Sequence, residues 1–138
     1  MDKIDQDNIG GFQTGLKGAT ADEIVDFAGK NLQSPVFATS LGQEDQVIAH
    51  LVANSGFNIP TITLDTGRLF PKTYDLIAST EEKLGLKIQI TFPDADEVEQ
   101  MVDEEGINLF RKSIHSRKRC CEVRKMHPLT RSLEGSDG

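Results

Sequence analysis

The stretch Val36-Phe37-Ala38-Thr39-Ser40-Leu41-Gly42-Gln43-Glu44-Asp45-Gln46-Val47-Ile48 decides the fold. Its first four residues form a short apolar run suited to a buried strand ending at Ser40, and Ser34 and Pro35 separate that run from the residues before it. A loop containing Gly42 comes next. Val47, Ile48, Leu51 and Val52 then fall on one helical stripe that fades at Asn54, Ser55 and Gly56. Strand, glycine turn and helix in that order predict a βα unit.

The same unit recurs downstream. Thr61 to Leu64 is β-branched and apolar, ends in Asp65, and leads through Thr66, Gly67 and Arg68 to Pro71 at a first helical position. Tyr74, Ile77, Ala78 and Leu84 supply the next helical face, which Gly85 closes. Leu86, Ile88, Ile90 and Phe92 alternate with Lys87, Gln89 and Thr91 as a strand does. Asp94, with Glu97 three residues on, caps a helix carrying Val98, Met101 and Val102 and stopped by Gly106. Upstream, Thr20 and Glu23 have capping-box spacing before Ile24, Ala28 and Leu32, predicting a helix near 21–32. The order αβαβαβα predicts an α/β fold of Rossmann-like type, a mainly parallel sheet with helices on both faces. Residues 1–19, with four glycines and little periodicity, are expected to be an arm without an element. Residues 20–135 form the domain and residues 136–138 a tail. From Arg111 the pattern is basic and helical, with Pro128 expected to interrupt it.

A length of 138 residues suits one domain. With 37% hydrophobic and 27% charged residues and no long apolar run, neither a membrane span nor wholesale disorder is expected. The N-terminus has no basic start and no apolar core of a secretory signal, which points to the cytoplasm. Adjacent cysteines rarely meet the geometry of a relaxed disulfide, so Cys120 and Cys121 are read as thiols. No nucleic-acid partner is expected. The net charge is −7, yet Arg111, Lys112, Arg117, Lys118, Arg119, Arg124 and Lys125 crowd fifteen residues against Glu122 alone. Local cations on an acidic chain favour a compact anion over an extended polyanion, and stacking aromatics are not interleaved with them. The competing reading is a solvated basic helix face.

Ligands of open α/β sheets sit beyond the carboxyl ends of the strands. Two loops qualify there. In the first, Ser40 offers a hydroxyl, Gly42 lets backbone approach, and the following helix presents free N–H groups to a phosphate; Glu44 and Asp45 equally suit a helix's first turn. In the second, Asp65, Thr66, Gly67 and Arg68 combine acid, hydroxyl, flexible backbone and guanidinium, with Arg68 the best anion ligand unless it merely pairs with Asp65. Cys120 and Cys121, flanked by His115 and His127, could be two buried inert thiols, zinc ligands, or ligands of a larger iron–sulfur centre. Neighbouring side chains on a helix diverge by about 100°, which makes one tetrahedral ion an awkward fit.

The segments Ser40 to Ile48 (SLGQEDQVI), Leu64 to Tyr74 (LDTGRLFPKTY) and Cys120 to Leu129 (CCEVRKMHPL) resemble the assimilatory adenylyl-sulfate and phosphoadenylyl-sulfate reductase family, from about residue 20 to the end. The resemblance implies an ATP-pyrophosphatase-type fold and a sulfonucleotide site. Ser40, Gly42 and Asp45 would contact the nucleotide, with Asp65, Thr66, Gly67 and Arg68 nearby. The tandem cysteines imply the iron–sulfur branch, in which Cys120 and Cys121 ligate a 4Fe-4S cluster and adenylyl sulfate is preferred to its 3′-phosphorylated form. Arg124 and Lys125, Lys125 first, would lie between cluster and sulfate.

The family reaction implied is thiolate attack on the phosphosulfate sulfur, release of AMP, and liberation of sulfite by thioredoxin or glutaredoxin. The family's second Cys-x-x-Cys pair and its attacking cysteine do not occur before Gly138, so the sequence is expected to be a shortened gene or an excised fragment holding the substrate-binding core. Three other readings stand beside this one. They are a phosphoadenylyl-sulfate reductase, a non-catalytic nucleotide or zinc module built on His115, Cys120, Cys121 and His127, and an adenylating ATP-pyrophosphatase, from whose Ser-Gly-Gly-x-Asp-Ser pattern SLGQED departs. The oligomeric state, including a homo-oligomer, is left open.

Overall fold

A computed structural model describes residues 6–138. Helices α1 (Gln6–Gly15) and α2 (Ala21–Asn31) precede the alternation β1 (Phe37–Ala38), α3 (Gln43–Asn54), β2 (Thr61–Leu64), α4 (Pro71–Leu84), β3 (Ile88–Thr91) and α5 (Ala95–Glu105). A short 3-10 turn at Leu109–Arg111 leads into α6 (Ile114–Cys121), a π-helical segment at Glu122–Met126, and α7 (His127–Leu133). The predicted alternation and its caps are present: Thr20 closes a capping box with Glu23, Pro71 opens α4, and Asp94 accepts from the Glu97 N–H.

The sheet runs β1-β2-β3, all parallel, with Phe37 opposite Thr61 and Ile62 opposite Gln89. Right-handed crossovers that step the same way across a sheet place their helices on one face. Accordingly α3 packs on α4, where Gln46 and Thr80 exchange side-chain hydrogen bonds of 3.2 and 3.3 Å. The opposite face is covered by α7, which packs on β2 and β3 and whose Ser132 hydroxyl donates to Thr91 Oγ1 at 2.7 Å. Helices thus lie on both faces, but the second layer comes from the end of the chain.

Four local expectations are corrected. Residues up to Gly18 are not without an element: α1 forms over Gln6–Gly15, and its Phe12 ring meets Phe27 of α2 edge-on at 5.3 Å, so tertiary contact offsets the low helix propensity of its glycines. Residues 1–5 of the expected arm lie outside the described residues. β1 is not a buried strand. It is two residues long with Ala38 exposed and pairs with β2 alone among the described residues, whereas β2, paired on both sides, buries Thr61, Ile62 and Thr63. On α3 the buried residues are Ala49 and Val52, so the predicted stripe holds at Val52, whereas Val47 and Ile48 face solvent and Gln46 turns toward Thr80 of α4.

The fourth concerns Pro128, which does not interrupt the helix. In a regular α-helix its ring would meet the carbonyl four residues back. The wider π turn immediately before it, in which the His127 N–H bonds the Glu122 carbonyl, shifts that carbonyl and lets the rod run from Ile114 to Leu133. Residues 136–138 form no element but are tied down, since the Asp137 carboxylate accepts from the Gln33 and Ser34 N–H groups at 2.8 Å.

Two apolar clusters support the ligand-facing end of the sheet. Leu41, Ile77 and Ile88 pack beneath the first loop, and Met101, Leu109, Cys120 and Val123 pack beneath the cysteine helix. None of the helices among the described residues is long and apolar enough to cross a membrane.

Candidate functional site

The carboxyl ends of β1 and β2 open onto α6 and the π segment. Thr39 ends the first strand run, its hydroxyl accepting from Leu41 N–H at 2.9 Å and its carbonyl from the Thr63 hydroxyl at 2.8 Å. Leu41 then adopts φ 66°. A leucine in this region is strained by about 1–2 kcal/mol, and burial of its side chain beside Ile77 and Ile88 holds it there. The loop's left-handed residue is therefore Leu41, while Gly42, at φ −65°, is the N-cap of α3 in extended backbone.

Asp45, in the first turn of α3, reaches back to this loop. The Ser40 hydroxyl and N–H both donate to Asp45 Oδ2, at 2.6 and 2.7 Å. The hydroxyl bond, more than any other contact, holds the Asp45 carboxyl below its ordinary range. A depressed folded-state pKa contributes stability that is present above the unfolded value and lost as pH falls through the folded one. In acid titrations followed by circular dichroism, the stability difference between wild type and Asp45→Asn should be constant above the carboxylate range near pH 4 and vanish below it. A difference that persists unchanged at pH 2 would refute the clamp.

The second loop is shaped by its own side chains. Asp65 Oδ1 accepts from Gly67 N–H at 2.8 Å, and Thr66 Oγ1 from Arg68 N–H at 3.2 Å. The Asp65 carboxylate also accepts from the Tyr74 phenol and pushes the phenol's pKa up. Gly67 has φ 73°, a conformation that favours glycine, and a Cβ there would crowd the Arg124 guanidinium at 3.1 Å. Arg68 does not pair with Asp65. Its guanidinium donates to the Ile107 carbonyl and Asn108 Oδ1 at 3.2 and 3.1 Å and lies over the Phe110 ring at 4.6 Å.

The π segment brings the third motif to these loops. Arg124 is 6% exposed and donates to the Thr66 carbonyl at 2.8 Å, pinning the helical rod to the tip of β2. Its Nε is buried without a partner, a donor whose desolvation is uncompensated among the described residues. Beside it, Arg119 forks onto Glu105 and Glu104, and Lys112 caps the Glu105 carbonyl, fixing α6 to the end of α5. The guanidinium is the main cause of the lowered Glu105 pKa, and Glu105 of the raised Arg119 pKa.

Two adjoining cavities result. One, of about 300 Å³, is lined by Thr66, Arg68, Phe110, Arg117, Cys120, Cys121, Arg124 and Lys125. The other, of about 220 Å³, is lined by Ser40, Leu41, Leu64, Leu69, Lys125 and the threonines 39, 63, 66 and 73. Thr66 and Lys125 belong to both. The structure thus brings Ser40, Thr66, Arg68, Cys120, Cys121, Arg124 and Lys125 together, while Gly42, Asp45, Asp65 and Gly67 line neither cavity and instead shape the loops. Phe110 and Arg117 were not anticipated. Arg117 was legible as the residue four before Cys121 on one helix face; Phe110 carries no such signal.

The thiols are free, Cys120 buried and Cys121 exposed, and both line the cationic cavity. The alternative zinc set of His115, Cys120, Cys121 and His127 does not assemble. Among the described residues no three His, Cys, Asp or Glu side chains gather to hold a metal ion, and His127 Nδ1 instead lies 3.1 Å from the Glu97 carboxylate.

Residues 34–138 match the phosphoadenosine phosphosulfate reductase domain. The chain belongs to this family. Within the phosphoadenosine phosphosulfate reductase family it is similar to the adenosine 5′-phosphosulfate reductase of Agrobacterium fabrum, 45% identical over 73% of this chain and 39% of that protein. The adenosine 5′-phosphosulfate reductase of Allochromatium vinosum is 39% identical over 85% of this chain and 46% of its own length. The chain therefore spans less than half of these curated relatives. Among solved structures, the phosphoadenylyl-sulfate reductase of Candida auris, a phosphate complex, superposes with a TM-score of 0.80 at 20% identity, covering 96% of this chain and 64% of that one. That likeness shows a shared fold.

Proposed function

We propose that this chain is the substrate-binding core of an adenylyl-sulfate reductase, binding adenosine 5′-phosphosulfate for reduction to sulfite and AMP. The observation that carries the reading is the pair of cavities joined at Thr66 and Lys125. A nucleoside suits the cavity lined by leucines and threonine hydroxyls, and a phosphosulfate suits the cationic one. Lys125, which the family resemblance sets between cluster and sulfate, stands with Thr66 at the junction of the two cavities, and on that ground this reading moves it to the phosphate. The names of the similar bacterial reductases support adenylyl sulfate as the substrate over its 3′-phosphorylated form.

In this reaction a thiolate attacks the sulfonate sulfur, the bond from sulfur to the phosphate oxygen breaks, and AMP leaves with the electron pair. A dithiol donor of thioredoxin or glutaredoxin type then returns the thiolate, releases sulfite and is itself oxidised to a disulfide. The residues present bind and orient; Lys125, Arg68 and Arg124 offset the charge that grows on the leaving phosphate. Ser40 donates its proton to Asp45, so it meets the substrate as an acceptor or through a rearranged bond. Asp45, Gly42, Asp65 and Gly67 act by holding the two loops.

Cys120 and Cys121 fit half of a 4Fe-4S donor set, since both line one cavity rimmed by cations and no further thiol exists in the sequence. Such a cluster would supply a compact, polarisable charge beside the sulfonate. Work in the cytoplasm belongs to the same reading. The test is thermal protection of the chain by adenylyl sulfate, its 3′-phosphorylated form and AMP. Adenylyl sulfate at about a hundred times its Kd should stabilise by about 2.7 kcal/mol. No shift in melting temperature at saturating nucleotide would end the proposal, and stronger protection by the 3′-phosphorylated form would transfer it to the other substrate.

A further inference from the structure

Seven cations lie between Arg111 and Lys125, and the structure sorts them by what already holds them. Arg119 is forked onto Glu104 and Glu105, Lys112 caps a carbonyl, Arg111 lies over Phe110 at 5.5 Å, and Arg124 is bound to Thr66. Of the cations lining the larger cavity, Arg68 and Arg124 are tied to protein carbonyls, whereas Arg117 and Lys125 have no hydrogen-bond or ion-pair partner among the described residues. These two differ in position. Lys125 lines both cavities, and Arg117 lines only the cationic one.

Arg117 is exposed and stands one helical turn before Cys121, on the same face of α6. Lys118, next in sequence, is directed about 100° away around the helix and lines neither cavity. The cation facing the far part of the cavity is therefore a planar fork of donors, the geometry that matches two oxygens of a tetrahedral oxyanion. Arg124, the other guanidinium of this helical rod on the cavity wall, is already spent on the Thr66 carbonyl, which leaves Arg117 as the uncommitted planar fork.

We propose that Arg117 is a specificity residue that binds the terminal sulfonate of the substrate, so that the protein distinguishes adenylyl sulfate from AMP. The assignment rests on the sulfonucleotide reading above and deepens it. Lys125, shared by both cavities, meets the phosphate that both nucleotides carry. Arg117 meets only what extends past that phosphate, and AMP has nothing there.

The experiment is titration calorimetry of adenylyl sulfate and of AMP into wild type, Arg117→Ala, Arg117→Lys and Lys118→Ala at one ionic strength, with the melting temperature of each free variant as a check on folding. Arg117→Ala should lose about tenfold in affinity for adenylyl sulfate while AMP binding stays within about twofold. Arg117→Lys should recover part of that loss. Lys118→Ala, which removes the same charge from the neighbouring position, should leave both affinities within about twofold. Equal weakening of both nucleotides by Arg117→Ala, no weakening of either, or an equal loss of adenylyl sulfate binding in Lys118→Ala would overturn the assignment while leaving the sulfonucleotide reading in place. Failure of wild type to bind either nucleotide would overturn that reading and the assignment with it.

Discussion

Replacing Lys125 by alanine is expected to weaken binding of adenylyl sulfate and of AMP alike by about 10- to 100-fold while leaving the free protein's stability unchanged within about 0.5 kcal/mol. The ammonium is exposed and has no protein partner among the described residues, so removing it breaks nothing in the fold. With nucleotide present it stands at the junction of the two cavities, where one charge-assisted hydrogen bond to phosphate contributes about 1.5–3 kcal/mol. Each 1.4 kcal/mol is about tenfold in affinity. Calorimetry on the folded variant measures both halves of the statement. A variant that binds AMP as well as wild type does would remove Lys125 from the phosphate.

Leu109→Ala should cost about 3–5 kcal/mol of stability. Leu109 is fully buried and packs with Met101, Cys120 and Val123, so the deleted methyl groups leave a cavity under the cysteine helix. Against a domain stability of about 5–15 kcal/mol the loss is large. Ile114→Ala is the control. Ile114 is 77% exposed despite being equally apolar, and its truncation should cost less than about 0.5 kcal/mol. Because Cys120 and Val123 flank Cys121 and Arg124, Leu109→Ala should also weaken nucleotide binding, which Ile114→Ala should not. Urea denaturation of both variants decides the point, and similar midpoints for the two would refute the packing argument.

The contrast between Leu109 and Ile114 marks the limit of what local pattern can tell. Two apolar residues five positions apart read alike in the sequence, and only the packing of the 3-10 turn against α5 buries one and exposes the other. The same limit applies to Val47 and Ile48, which share an apolar stripe with Val52 in the sequence, although only Val52 and Ala49 are buried where α3 packs in the fold.

The sequence by itself determined the alternation of helices and strands, the caps at Thr20 and Asp94, the helix start at Pro71, the two loops at the strand tips and the basic run around the cysteines, because caps, periodicity and turn residues act over a few positions. The tertiary structure alone decided how those pieces meet. It bound Arg124 to Thr66 across 58 residues, tied Arg68 to Ile107 and Asn108, turned Asp45 onto Ser40, and left Arg117 and Lys125 as the cavity's uncommitted cations. A charge's role depends on which partner it finds after folding, and that partner lies at a distance along the chain that no local pattern spans.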